Sequence, residues 1–144
     1  LHDIGMVSTR ETWENEHSFP PRVFFRAVKP HPEIGFRQLQ EIPGMKDGIA
    51  RAVLGEHERM DGSGYPDGLK GRDIHPGARI LAVCDTLEAL THPRPHHEPI
   101  STSQAMARLQ TLGKSTLDGE IVDLLTAELE ELLRDVPEHA GTTD

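Results

Sequence analysis

One cysteine, Cys84, stands in 144 residues, so no internal disulfide can staple the fold, and the thiol content fits a reducing cytoplasm. Positive charge is also short: 15 Lys and Arg against 24 Asp and Glu give a formal net charge of -9. Polymeric nucleic acid is excluded as a partner on that balance, because such surfaces need clustered cations to replace counterions. No apolar run is long enough to cross a bilayer, and no signal peptide is present, which points to the cytoplasm and to a chain without a membrane segment. Internal repeats are missing, and no segment alternates apolar with polar residues well enough to predict a strand. The chain opens Leu1-His2-Asp3 without an initiator Met, which reads as the continuation of something longer.

What is there is a soluble-domain composition, 35% hydrophobic and 27% charged, in a length that suits one compact domain. The patterning predicts an all-α fold. LHDIGM (1–6) reads as the last turn of an apolar helix, and residues 7–23 read as loop closed by Pro20-Pro21. A helix is expected from His31, with Pro32 in its first turn and Ile34, Phe36, Leu39 and Ile42 on one side, stopped by Pro43-Gly44. Asp47 is expected to N-cap a second helix carrying Ile49, Ala50, Val53 and Leu54 and reaching Glu56-His57-Glu58. Four glycines and a proline in 61–73 demand a loop. Pro76 opens a helix with Ile80, Leu81, Val83, Cys84 and Leu87 as its apolar stripe, broken by THPRPHHEP (91–99). Ser101 and Gln104 form a capping box before Ala105, Met106, Leu109 and Leu112. A last amphipathic helix carries Leu117, Ile121, Leu124, Leu125, Leu129, Leu132 and Leu133, and residues 136–144 are expected to be a disordered tail.

Chemistry concentrates in a series of metal-ligand residue types. His2-Asp3, His31, Glu56-His57 and Asp85 lie at the ends or on the faces of four successive helical segments, as ligands do when a helical bundle gathers them on one site. Imidazole and carboxylate suit borderline divalent cations, and a carboxylate can bridge two of them. Asp85, in LAVCDTLEAL, is flanked by apolar residues, where an ionised carboxylate needs a metal or an arginine.

HDIGM (2–6), HPEIG (31–35), EHERMDGSGYPDGLKG (56–71), ILAVCDTLEALTHPRP (80–95) and LDGEIVDLL (117–125) occur in the order of the HD-GYP domain, and residues 1–133 resemble that family. The resemblance implies an HD-superfamily helical bundle over 1–135, lacking its first helices, with the GYP loop and additional C-terminal helices. It implies hydrolysis of cyclic di-GMP by a centre of two or three divalent ions, iron or manganese. His2, Asp3, His31, Glu56, His57 and Asp85 would be the metal ligands, Asp3 bridging and catalytic. Arg94 would hold a phosphate, and Gly64 and Tyr65 would face the ligand or a partner domain. A diguanylate cyclase domain is implied as a partner, and a receiver or sensor domain upstream.

The sequence departs from that pattern in places that touch the chemistry. The family reads HDIGK where this chain has Met6, and His-His-Glu where it has Glu56-His57-Glu58; His96 and His97 replace a common aromatic and a basic residue. Family sites also take a ligand from a helix upstream of the HD pair. Two other readings therefore stand beside the enzyme: a degenerate module that binds without turnover, and a phosphohydrolase for another cyclic dinucleotide or phosphoester. Gly113-Lys114-Ser115-Thr116 imitates a P-loop, but Arg108 occupies the first glycine position and no strand precedes it. His57-Glu58 lacks the second histidine of a zincin, and His96-His97-Glu98 reads as polar loop.

Overall fold

The computed structural model describes residues 1–9, 21–93 and 98–135. The tail expected over 136–144 lies outside them, as do Arg94, His96 and His97. A 3₁₀ segment, His2–Thr9, comes first and is kinked at Asp3 (φ -83°, ψ 15°). Six α-helices follow among the described residues: α1 (Pro21–Val28), α2 (His31–Gln40), α3 (Asp47–Leu54), α4 (Pro76–Thr91), α5 (Thr102–Leu112) and α6 (Gly119–Asp135). No strand occurs among the described residues, so the fold is an all-α bundle as expected.

Several local expectations are corrected. Residues 7–9 continue the 3₁₀ segment, and α1 was not foreseen: Pro21 begins a helix, where its fixed φ and missing N–H are tolerated, rather than ending a loop. Lys46, not Asp47, occupies the N-cap of α3 and makes no side-chain cap; Asp47 sits in the first turn and accepts from Arg51 Nε. That helix stops at Leu54, so Glu56-His57-Glu58 lies in the turn beyond Gly55. Ile42 falls past the end of α2, and both it and Ile49 are exposed.

The stripe predicted for α4 is rotated from the one observed. Ala78, Ala82 and Val83 are buried, while Ile80 and Cys84 face outward. The reason is close packing of α3 against α4 through small residues: a Cβ on Gly55 would lie 3.0 Å from that of Ala78, and one on Gly77 2.8 Å from that of Ala52. Leu124, Leu132 and Leu133 are likewise exposed on α6. The capping box at Ser101 and Gln104 forms as expected.

Two apolar clusters hold the bundle. Leu39, Ala50 and Val53 join α2 to α3, with Ile4, Phe36 and Met45 against them. Ala82, Val83, Leu109, Leu117 and Val122 join α4, α5 and α6. Burial of a single Leu or Val of this kind contributes about 1.5–3 kcal/mol. A partly buried ion pair locks the second cluster: Arg79 Nη1 donates to Asp118 Oδ2 at 2.6 Å, and Asp118 Oδ1 accepts from the backbone N–H of Glu120 and Ile121 at the start of α6. No helix among the described residues is long and apolar enough to cross a membrane.

Candidate metal centre

The first cluster carries the site on its rim. Gly5 lets the 3₁₀ segment rest directly on the start of α2: a Cβ there would lie 1.9 Å from the His31 carbonyl oxygen and 2.7 Å from Gly35 N. Asp3 thereby reaches His31. Its carboxylate lies between two imidazoles, Oδ2 3.1 Å from His2 Nε2 and Oδ1 3.6 Å from His31 Nε2. One oxygen turned to each side is the disposition expected of a bridging group.

His31 is 4% exposed, and its Nδ1 lies 2.8 Å from the Val28 carbonyl oxygen. A carbonyl only accepts, so Nδ1 carries a proton and Nε2 is turned inward. Nε2 lies 3.4 Å from Glu56 Oε1, 3.6 Å from Asp3 Oδ1 and 3.2 Å from His57 Nε2. His31, Glu56 and His57 form a group whose ligand atoms all lie within 4.8 Å of one another.

Glu56 gives the test of whether a cation fits. The residue is 1% exposed, and neither carboxylate oxygen has a hydrogen-bond partner. An ionised carboxylate left so in a low-dielectric interior is costly, and a divalent cation shared with two imidazoles removes the cost. The donor set fits such an ion. His31 follows the same logic: burial works against its charged form, but the Glu56 carboxylate, the Val28 carbonyl and the charge of Asp3 outweigh it and raise its pKa above 6.5. His57 goes the other way, lowered to about 3 by burial, then by the positive charges of His31, Arg59 and His2. It is a neutral donor throughout the physiological range.

The glycine-rich loop packs behind His57. The Tyr65 ring stacks on the His57 imidazole with centroids 4.8 Å apart and planes at 25°, and Phe25 from α1 meets Tyr65 edge-on at 5.8 Å. Burial raises the Tyr65 hydroxyl to about 12; Arg59 opposes the shift, and Glu56, Asp85 and Asp3 add to it, so the phenol stays protonated. Three carboxylates from three parts of the chain thus bear on one ring. Asp85, half-buried on α4, belongs to this neighbourhood without joining the His31–Glu56–His57 group. Gly64 faces backbone: a Cβ there would lie 2.4 Å from Arg59 N and 2.5 Å from the His57 carbonyl oxygen.

The structure therefore brings together His2, Asp3, His31, Glu56, His57 and Tyr65, with Asp85 near them, while Arg94 lies outside the described residues. Sequence patterning missed the parts that orient these groups: the Val28 carbonyl, Phe25 on α1, and Glu58. Only Glu58 left a trace in the sequence, as a carboxylate immediately before the loop.

Residues 2–121 match the HD domain family. Over 138 residues the chain is 34% identical to a cyclic di-GMP phosphodiesterase of Thermotoga maritima, covering 94% of this chain and 37% of that protein. Over 136 residues it is 34% identical to the cyclic di-GMP phosphodiesterase response regulator RpfG of Xanthomonas campestris pv. campestris, covering 92% and 36%. A 3'3'-cGAMP-specific phosphodiesterase 1 of Vibrio cholerae is 29% identical over 126 residues, covering 87% and 29%. The chain spans about a third of the length of these curated relatives. With the family match over most of its length, and with its motifs in HD-GYP order around one centre, the chain belongs to the HD domain family and to its HD-GYP type.

Proposed function

We propose that this chain carries the metal centre of a phosphodiesterase that opens cyclic di-GMP in bacterial second-messenger signalling in the cytoplasm. The observation that carries the reading is the buried Glu56 carboxylate, without a hydrogen-bond partner at either oxygen, beside two imidazole nitrogens 3.2 Å apart. His31, Glu56 and His57 would hold one divalent ion, and Asp3, with His2 and Asp85, a second or third, iron or manganese. When bound, the ions supply Lewis acidity, lowering the pKa of an attacking water and offsetting charge on the phosphate oxygens. The chain's own residues keep the ligand lone pairs aimed inward, exclude solvent from Glu56, and turn one oxygen of Asp3 to each side. Arg94 would hold a substrate phosphate, a task for which Met6 offers no charge. An upstream receiver or sensor domain and a diguanylate cyclase partner belong to the same reading.

A second substrate is favoured by one observation, the 29% identity to a relative named as 3'3'-cGAMP-specific. No residue of the centre reads guanine uniquely, so the choice falls to experiment. The chain loaded with manganese or iron is offered cyclic di-GMP and 3'3'-cGAMP in parallel, and linear dinucleotide and mononucleotide are separated by chromatography. Cleavage of cyclic di-GMP that Asp3→Ala abolishes supports the proposal, and preferential cleavage of 3'3'-cGAMP supports the second substrate. Binding without cleavage identifies a degenerate module, and neither binding nor cleavage rejects all three.

A further inference from the structure

His57 stands between two buried glutamates that are treated in opposite ways. Glu56 has no hydrogen-bond partner, whereas Glu58, 2% exposed, is saturated by backbone. Its Oε1 accepts from the N–H of Asp67 at 2.7 Å and of Gly68 at 3.1 Å, and its Oε2 from that of Leu69 at 2.9 Å. Three donors to an ionised carboxylate are charge-assisted bonds, about twice as strong as neutral ones. They fold the far limb of the glycine-rich loop back onto the turn that carries His57.

The near limb is closed by other means. Tyr65 N donates to the His57 carbonyl oxygen at 3.2 Å, and the absence of a side chain on Gly64 allows that approach. Arg59 Nη1 ties the turn from outside, donating to the carbonyl oxygens of Glu56 and Glu58. The Tyr65 ring is then fixed flat on the His57 imidazole, whose other neighbour is His31, 5.0 Å away and nearly perpendicular. Rotation of the His57 ring away from His31 and Glu56 would have to break the stack on Tyr65.

We propose that Glu58 and Tyr65 are positioning residues of the metal centre, Glu58 by anchoring the loop and Tyr65 by holding the His57 ring toward His31 and Glu56. This rests on the reading of His57 as a ligand and assigns the loop to the metal rather than to the nucleotide. The Tyr65 face does the work, and its hydroxyl is dispensable for it. Groups that orient ligands in this way change metal affinity about 10–100-fold when removed.

The test is manganese binding to the full chain, followed by isothermal titration, with amide hydrogen exchange of the loop measured on the same metal-free proteins. Tyr65→Phe is expected to bind manganese within a factor of about two of the wild type, and Tyr65→Leu about 10–100-fold more weakly. Glu58→Gln, which keeps shape and offers one acceptor oxygen, is expected to weaken manganese similarly and to accelerate exchange at Asp67, Gly68 and Leu69. Equal loss in Tyr65→Phe and Tyr65→Leu would move the role to the hydroxyl and overturn the proposal. Faster loop exchange in Glu58→Gln with unchanged manganese affinity would show a loop anchor without a positioning role, and would also overturn it. A wild-type chain that binds no manganese would remove the metal reading itself, and the positioning role with it.

Discussion

The Nε2 atoms of His31 and His57 lie 3.2 Å apart, with a Glu56 oxygen 3.4 Å from the first. Without a cation neither Glu56 oxygen has a hydrogen-bond partner, and Oε1 has the His31 ring nitrogen as its ion-pair neighbour. On the proposed reading all three residues would be ligands of one cation. Glu56→Ala is therefore expected to weaken divalent metal binding at least tenfold, about 1.4 kcal/mol, as read by titration with manganese. Unchanged affinity would place the ion elsewhere.

The two histidines differ in what protons do to them. His31, raised above 6.5, is protonated in the metal-free centre at mildly acid pH, so metal must displace its proton. His57, at about 3, has no proton to give. Metal affinity should fall as pH drops through the His31 pKa, with release of one proton rather than two. Titration calorimetry at pH 6 in buffers of different ionisation enthalpy counts them.

His57 also sets the acid stability of the metal-free fold. The unfolded chain takes up a proton on this side chain near its ordinary value of 6.5, and the folded chain only near 3. Between those limits the unfolded state binds more protons, so the His57 contribution falls as pH falls. The raised pKa of His31 contributes with the opposite sign: its stabilisation is fully present below 6.5 and is lost as pH rises through its folded value. His57→Gln should flatten the loss of stability between pH 6 and pH 4 in denaturant melts of metal-free protein. An unchanged slope would contradict the burial of an uncharged imidazole.

Much of this was legible in the residues themselves. HDIGM, HPEIG and Glu56-His57 carry the side chains that the structure brings together, DGSGYP marks the loop behind His57, and the capping box at Ser101 fixes the start of α5. The misses share a physical cause, since periodicity reports which residues are apolar but not which neighbour they meet. On α4 the buried stripe is Ala78, Ala82 and Val83, where Ala78 and Gly77 pack closely on Gly55 and Ala52, while Ile80 is exposed. Likewise, two glutamates two residues apart look alike in sequence, and only the return of the loop distinguishes Glu58 from Glu56.

The seating of the 3₁₀ segment on α2 gives a further prediction. In Gly5→Ala the new methyl would meet the His31 carbonyl oxygen at 1.9 Å, so the segment must move and take Asp3 with it. Overpacking of this kind costs about 1–3 kcal/mol. A lower melting temperature is expected together with weaker manganese binding, although Gly5 offers no ligand atom.

Remote from the centre, Asp118 joins α4 to α6 by accepting from Arg79 at 2.6 Å and from two backbone N–H groups. Asp118→Ala leaves Arg79 without its partner and is expected to lose about 3–5 kcal/mol in denaturant unfolding. Metal affinity of the folded protein should be unaffected, which separates the stability of the second cluster from the chemistry of the first.

The most direct measurement is product analysis of cyclic di-GMP incubated with the manganese- or iron-loaded chain, beside the same chain stripped of metal and beside Glu56→Ala. The centre formed by His31, Glu56 and His57 predicts linear dinucleotide or GMP only from the loaded wild type, with the loss in Glu56→Ala following its loss of metal. Cleavage that persists without metal, or in Glu56→Ala at the wild-type rate, would contradict it.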